Sequence, residues 1–116
     1  MKKLFYFLTL TTIVVGLSAA INASNLRDCR VEVHGAPEGM EVIASIFDEE
    51  DEVYVDILTQ QLDCNGETVF EHLVVGQKYS FRTAPYAGYT SASSSDHIMT
   101  ANSVVYIVEM NVRPQQ

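Results

Sequence analysis

Apolar and polar residues alternate along most of the chain beyond residue 28, and no window there sustains the apolar spacing of an amphipathic helix. Alternation with a period of two is typical of a β-strand that buries one face. The pattern predicts strands at residues 29–34, 41–47, 53–58, 67–73, 77–84, 90–93 (a continuation through 98 stays open) and 103–112. Turn-forming residues separate these segments about every ten residues, which indicates a sandwich or barrel. We therefore expect an all-β fold.

The alternation also assigns inward faces to three of these strands. Side chains two residues apart share a face, so the apolar set should point into the core. The expected inward residues are Tyr79, Phe81 and Thr83 in the fifth strand, Val53, Val55 and Ile57 in the third, and Tyr106, Val108, Met110 and Val112 in the last. Because the last strand has an unbroken apolar face, we expect it near the centre of a sheet.

The first 23 residues have a different character. Lys2 and Lys3 precede an apolar stretch, and small residues follow at positions 18–20 and 22–23. This is the layout of a secretory signal peptide. A membrane anchor is disfavoured because the uninterrupted apolar run is shorter than the roughly 20 residues that span a bilayer. We expect residues 1–23 to be removed and residues 24–116 to form one exported domain, periplasmic or extracellular, without membrane insertion.

The charge balance bears on possible partners. Removal of the signal would leave 5 basic against 15 acidic side chains, a net charge of −10. Such a surface repels phosphate backbones, which argues against a nucleic-acid partner. Asp48, Glu50 and Glu52 belong to a run of five carboxylates and are candidate ligands for a cation such as calcium. A solvated hairpin tip is the favoured interpretation of this run, and no cofactor is expected.

Cys29 and Cys64 are the two cysteines of the chain. An even pair in an exported protein favours a disulfide over metal ligands or a redox site. The bridge would stabilise the fold by about 3 to 4 kcal/mol, because it removes conformational entropy from the unfolded chain. A C-x-x-C motif, which would indicate thiol exchange, is absent.

One segment, covering about half of the chain after residue 23, carries a family pattern: an Asx-Gly turn, an aromatic residue, a leucine, Gly-x-Tyr and a later Gly-Tyr. The matching positions are Gly66, Phe70, Leu73, Gly76, Tyr79, Gly88 and Tyr89. The segment resembles the carboxypeptidase regulatory-like domains of the wider transthyretin-like, or prealbumin-like, group. The resemblance implies a single seven-stranded Greek-key β-sandwich. Asn65-Gly66 suits a hairpin turn that needs a positive φ.

Two activities found among such sandwiches do not carry over to this chain. Crosslinking by an internal isopeptide bond needs a lysine in the first strand, whereas Lys78 is the one lysine after residue 23 and lies on a predicted outward face. The transthyretin-related hydroxyisourate hydrolases end in Tyr-Arg-Gly-Ser, and this chain ends in Arg-Pro-Gln-Gln. The resemblance therefore implies an accessory or adhesive module.

Residue types of a catalytic triad occur together in the serine run 91–95 and the following Asp96 and His97. Neighbours on a strand point to opposite faces, so we expect a flexible polar loop there instead. His34, His72 and His97 are dispersed, and each is expected to face solvent rather than join a metal site. We expect the protein not to be an enzyme.

Two tyrosines are candidate partner contacts. Tyr54 lies on a predicted outward face and Tyr86 beside a turn, whereas Tyr89 is expected to pack. Together these observations predict a non-catalytic exported module that contacts another protein or a surface polymer. The alternatives are an assembly subunit that oligomerises by edge-strand pairing and, less favoured, a small secreted hydrolase.

Overall fold

The structure, a computed structural model, describes residues 25–101 and 105–115. Its strands are β1 (Leu26–His34), β2 (Glu41–Asp48), β3 (Val53–Gln61), β4 (Glu67–Val74), β5 (Lys78–Thr83), β6 (Ser93–Ile98) and β7 (Val105–Asn111). Each overlaps a strand that the alternation predicts. The predicted signal peptide, residues 1–23, lies outside the described residues. Within those ranges, no helix has the length and hydrophobicity to cross a membrane.

The strands form two sheets, one with the order β4-β1-β7 and one with the order β3-β2-β5-β6. Neighbouring strands pair antiparallel except β1 and β7, which run parallel. The first and last strands of the domain are therefore hydrogen-bonded to each other over seven residue pairs, Asp28↔Val105 through His34↔Asn111. The all-β prediction is confirmed, with seven strands in two sheets.

The core lies between the two sheets. Phe70 of β4 and Phe81 of β5 are fully buried, and their ring centroids are 5.5 Å apart. A tilted aromatic pair of this kind stabilises the fold by about 0.5 to 1.5 kcal/mol beyond the area it buries. The inward faces predicted from the alternation are confirmed for Tyr79, Phe81, Thr83, Val108, Met110 and Val112, which are buried, and for Val55, Ile57 and Tyr106, which pack partly buried against the core.

The predicted central position of the last strand is wrong, because β7 is an edge strand and β1 is the centre of its sheet. The outward face of β1 carries Arg30, Glu32 and His34, so its sequence looks no more buried than that of β7. The alternation reports only which face packs on the core. It does not report how many strands pair with the backbone, and that number separates a centre from an edge.

The turn at Asn65-Gly66 joins the two sheets rather than forming a hairpin, because β3 and β4 belong to different sheets. The Asp63 carboxylate accepts hydrogen bonds from the backbone N–H groups of Asn65 at 2.8 Å and Glu67 at 3.0 Å. Gly66 has a φ of 76°, as the Asx-Gly pattern requires. A Cβ there would also lie 2.7 Å from the Val33 carbonyl oxygen, so glycine is needed for space as well as for conformation.

The predicted Cys29–Cys64 disulfide is not present, since both cysteines are free thiols. Cys29 is buried opposite Phe70 in the β1–β4 pairing, whereas Cys64 is exposed in the turn before β4. That turn approaches β1 at Val33, where the backbone N–H donates to the Gly66 carbonyl. Four residues of strand separate Cys29 from Val33, roughly 13 Å, and a disulfide tolerates at most about 7 Å between Cα atoms.

This arrangement predicts that the two thiols react differently. Burial raises the pKa of Cys29 to about 12, so its thiolate is scarce at neutral pH, whereas Cys64 is open to solvent. We expect a thiol reagent to label one cysteine rapidly in the native protein and both after denaturation, without reductant. Labelling should persist in Cys29→Ala and disappear in Cys64→Ser. An intact mass two hydrogens lower, with no labelling after denaturation, would contradict the structure.

Candidate functional site

The outward surface of the four-stranded sheet is polar and aromatic, and all four strands contribute to it. We call it the polar face. Its polar and aromatic side chains include Ser45 and Phe47 from β2, Tyr54 and Asp56 from β3, Lys78, Ser80 and Arg82 from β5, and Ser95 and Asp96 from β6. The apolar residues Ile43 and Ile98 share this face, because they are the register partners of Arg82 and Lys78. Apart from the adjacent Ser95 and Asp96, these side chains alternate with residues that point into the core, which is why the same strands that build the core also present this surface.

Arg82 and Asp56 form an ion pair at the centre of the face, and Ser45 is hydrogen-bonded to it. The Arg82 guanidinium donates two parallel hydrogen bonds to the Asp56 carboxylate, at 2.7 and 2.8 Å. The Ser45 hydroxyl donates to the same carboxylate at 2.7 Å, and Ser45 is itself almost fully buried beneath the pair. The pair spans β3, β2 and β5, because Ser45 is the register partner of Asp56 on one side and of Ser80 on the other.

The electrostatics follow from these hydrogen bonds. Donation by Arg82, and then by Ser45, lowers the pKa of Asp56 to about 2. The same bonds raise the pKa of the Arg82 guanidinium. The Asp56 and Arg82 side chains stay 55% and 44% exposed, so solvent screens the pair and its contribution to stability is small. The pair holds a planar guanidinium in one orientation at the surface.

A second contact crosses the polar face from one edge of the sheet to the other. The Tyr54 hydroxyl on β3 donates to the Asp96 carboxylate on β6 at 2.5 Å. In a flat sheet these two strands would be roughly 14 Å apart, so both side chains must extend across β2 and β5 to meet. Phe47 packs edge-on against the Tyr54 ring at 5.2 Å, and the Lys78 ammonium lies 4.7 Å from the Phe47 ring centroid. The aromatic part of the face is thus fixed on several sides.

A β-bulge in β6 determines where Asp96 points. Between the pairs Tyr79↔His97 and Phe81↔Ser94, β6 has one more residue than β5, and Asp96 has a φ of 67°. The extra residue puts Ser94 and His97 on the same side of the strand, although residues three apart in a regular strand face opposite ways. Their side chains are hydrogen-bonded at 2.6 Å between Ser94 Oγ and His97 Nε2.

The expected flexible polar loop is wrong for residues 93–97, which belong to β6. The sequence interpretation also missed the Ser94–His97 pair, because it assumed regular alternation in a segment that is bulged. A serine hydrogen-bonded to an imidazole is the first half of a nucleophilic site. Here the imidazole packs between Phe81 and Tyr106, with centroid distances of 6.0 and 5.9 Å, on the inward side of β6. Burial lowers the pKa of His97 against the raising effect of Asp96. His97 is therefore a half-buried residue that packs against the core where β6 of one sheet faces β7 of the other.

The other predicted site residues lie apart from one another. His34 and His72 are exposed, as expected, whereas His97 is half-buried. Tyr86 is 39% exposed in the β5–β6 connection and packs edge-on against Tyr89 at 5.7 Å. Tyr89 packs against the core as predicted. The connection borders a shallow cleft of about 340 Å³ that continues the polar face and is lined by Arg82, Thr83, Pro85, Ser91, Ala92 and Ser93.

The acidic run forms the β2–β3 hairpin loop. Asp48 is buried, and its carboxylate accepts hydrogen bonds from the backbone N–H groups of Glu50 at 2.9 Å and Asp51 at 3.3 Å. Glu52 has a φ of 57° and closes the turn. Asp48, one of the three candidate cation ligands, therefore stabilises the loop through hydrogen bonds to its backbone. The calcium site at Asp48, Glu50 and Glu52 stays a prediction.

The Asp56–Arg82 pair predicts a pH-dependent coupling between the two side chains. We expect Asp56→Asn and Arg82→Gln to destabilise the protein non-additively at pH 7, with a coupling free energy of no more than about 1 kcal/mol for so exposed a pair. Because the folded-state pKa of Asp56 lies below its ordinary value of 3.8, the stabilisation is complete above that value and is lost as pH falls through about 2.

Denaturant unfolding of the four proteins of this cycle, at pH 7 and in steps from pH 4 to pH 2, measures that coupling. Glu38→Gln, at an exposed loop position, controls for the removal of a negative charge. Additive effects at pH 7, or a coupling that does not shrink toward pH 2, would show that the ion pair contributes nothing.

Comparison of the chain with models of known protein families finds no match, and comparison with curated proteins finds none either. The resemblance to carboxypeptidase regulatory-like domains therefore stays a prediction.

Proposed function

We propose that this protein is an exported, non-catalytic β-sandwich module that binds another protein through its polar face. The layout of residues 1–23, with two lysines before an apolar stretch and small residues after it, supports export. The family resemblance of residues 63–89 supports a Greek-key sandwich of the transthyretin-like type and an accessory role. Since that architecture hosts many functions, the choice of function depends on the face itself.

The network on the polar face is the observation that carries the proposal. Tyr54, Phe47 and Arg82 are held in place by Asp96, Lys78 and Asp56, respectively, before any partner arrives. Tyrosine, phenylalanine and arginine are enriched in protein interfaces, and a side chain that is already ordered loses less entropy on binding. A face of this kind suits a partner that offers aromatic or hydrogen-bonding groups.

A non-catalytic role is supported by the position of the Ser94–His97 pair. The imidazole is flanked by Phe81 and Tyr106 on the side of β6 that faces the core, away from the polar face.

A polysaccharide is the second type of partner for the polar face, because tyrosine rings also stack on sugars. The chain contains no tryptophan, the strongest stacking residue, which favours a protein.

Site-specific photo-crosslinking tests the proposed face. A photoreactive amino acid at Ser93, which is exposed, pairs with Arg82 and lines the cleft, should capture a discrete species from a surface extract of the producing cells. The same group at Val69, which is 40% exposed on the outer surface of the other sheet, is the matched control. Tyr54→Ala in the Ser93 background should reduce the yield, because the aromatic contact is lost.

A crosslinked species that protease treatment degrades supports a protein partner. A species that resists protease but is cut by glycosidases shows that the partner is a polysaccharide and contradicts the protein proposal. Equal crosslinking from Ser93 and Val69, or none from Ser93, argues against binding at this face.

A second candidate function is an assembly subunit, and the edge strand β7 favours it. Val105 and Ile107 are 44% and 47% exposed on β7, and none of the other strands in the described part of the chain pairs with the outer edge of this strand. An exposed apolar edge strand is a template for pairing with another chain. Two copies could join their three-stranded sheets edge to edge through β7.

Light scattering over a hundredfold dilution distinguishes the two functions. The binding module is expected to be a monomer throughout, whereas the assembly subunit should form an oligomer that Ile107→Lys dissociates. Leu58→Lys, at a similarly exposed apolar position on the edge strand β3, is the matched control. A monomer at every concentration, unaffected by either lysine, removes the second candidate.

A further inference from the structure

Two carboxylates and one imidazole converge on the outer surface of the three-stranded sheet. Glu32 and His34 project from β1 and Glu109 from β7, and their potential ligand atoms lie within 4.8 Å of one another. The β1–β7 register produces this convergence, because Glu32 lies directly opposite Glu109 in the parallel pairing. His34, two residues further along the same face of β1, is 3.0 Å from the Glu109 carboxylate at Nε2.

The surroundings of this cluster are negatively charged. Glu32 is also the register partner of Glu67 on β4, so one row across all three strands places a carboxylate at every position. Like charges directly opposite each other in a sheet destabilise it. Arg30 donates to the Glu32 carboxylate at 2.8 Å, which offsets one of the three negative charges. Two negative charges and an imidazole are left around a site open to solvent.

The geometry points to a divalent transition-metal site, and specifically to zinc, with Glu32, His34 and Glu109 as its ligands. Imidazole nitrogen and carboxylate oxygen are zinc ligands at about 2.0 to 2.2 Å, so donors on one tetrahedral ion are roughly 3.4 Å apart. The His34–Glu109 distance of 3.0 Å is already close to that value. The third ligand, Glu32, accepts a hydrogen bond from Arg30 and would have to turn its carboxylate toward the ion. Three protein ligands and one water molecule would complete a tetrahedral zinc coordination shell.

The donor set also discriminates among cations. Calcium prefers six to eight oxygen ligands, and magnesium prefers an octahedral shell made mostly of water. A site with one imidazole nitrogen and two carboxylates matches neither the calcium preference nor the magnesium preference. Among first-row divalent ions the affinity of such sites rises from manganese to copper and is lower again for zinc, whose preference for a tetrahedral shell of nitrogen and oxygen ligands matches this donor set. The acidic chain, with a net charge of −8, attracts any cation to the surface, but only the imidazole selects a softer one.

This site is independent of the proposed function. It lies on the outer surface of β1 and β7, whereas the polar face belongs to the other sheet. A bound ion would link the first and last strands of the domain on their solvent side, and binding only to the folded state raises the melting temperature. The β1–β7 pairing brings His34 beside two glutamates that are 77 residues apart in the chain.

Titration with zinc chloride, followed by calorimetry and by thermal unfolding, tests the site in the full chain. Cys64→Ser is the background for every variant, because an exposed thiol would bind zinc by itself. We expect one zinc ion per chain and a raised melting temperature. His34→Ala and Glu109→Gln should each weaken binding at least about tenfold. His72→Asn and Glu41→Gln, which alter an exposed histidine and an exposed glutamate elsewhere, should leave it unchanged.

One further variant distinguishes a specific zinc site from general electrostatic attraction of cations to the acidic surface. Arg30→Gln should tighten zinc binding severalfold, because Glu32 is released from the guanidinium and a nearby positive charge is removed. Calcium chloride at equal concentration should not displace zinc from Glu32, His34 and Glu109. The inference is overturned if zinc does not bind to the parent, or if His34→Ala binds as tightly as His72→Asn. It is also overturned if calcium competes with zinc at equal concentration.

Discussion

The face-to-face packing of the two sheets, centred on Phe70 and Phe81, is the constraint on which the rest of the structure depends. Both rings are fully buried, and the apolar inward side chains of the other strands surround them. Once those inward faces are fixed, the alternation of side chains along each strand also fixes which side chains face solvent. The polar face and the Glu32–His34–Glu109 cluster are thus the outer surfaces of the same packed strands.

The two outer surfaces handle charge in opposite ways. On the four-stranded sheet, Asp56 meets Arg82 and Asp96 meets the Tyr54 hydroxyl, so that each carboxylate has a donor within hydrogen-bond distance. On the three-stranded sheet, the row through Glu32 places three carboxylates beside one another, with Arg30 next to Glu32 and His34 next to Glu109. The paired charges of the first surface suit the proposed contact with polar and aromatic groups of a partner. The second has an excess of negative charge that a cation would relieve.

Local irregularities in the strands refine both the core and the polar face. In β3 an extra residue lets Ile57 pack toward the core while Asp56 still faces Ser45. In β6 the bulge turns Asp96 outward to Tyr54 and brings Ser94 beside His97 on the inward side. Each bulge changes the partner of a polar side chain without changing the order of the strands.

The amino-acid sequence by itself determined the seven strands and most of their inward faces, because a half-buried strand needs an apolar residue at every second position, and Tyr79, Phe81, Val108 and Met110 obey that rule. It also identified Gly66 as a position of positive φ. Only the tertiary structure decided that β7 is an edge, that Cys29 and Cys64 are too far apart to bond, and that His34 meets Glu109. These features depend on which strands pair and in which register. Pairing joins residues far apart in the chain, and a period of two carries no information about it.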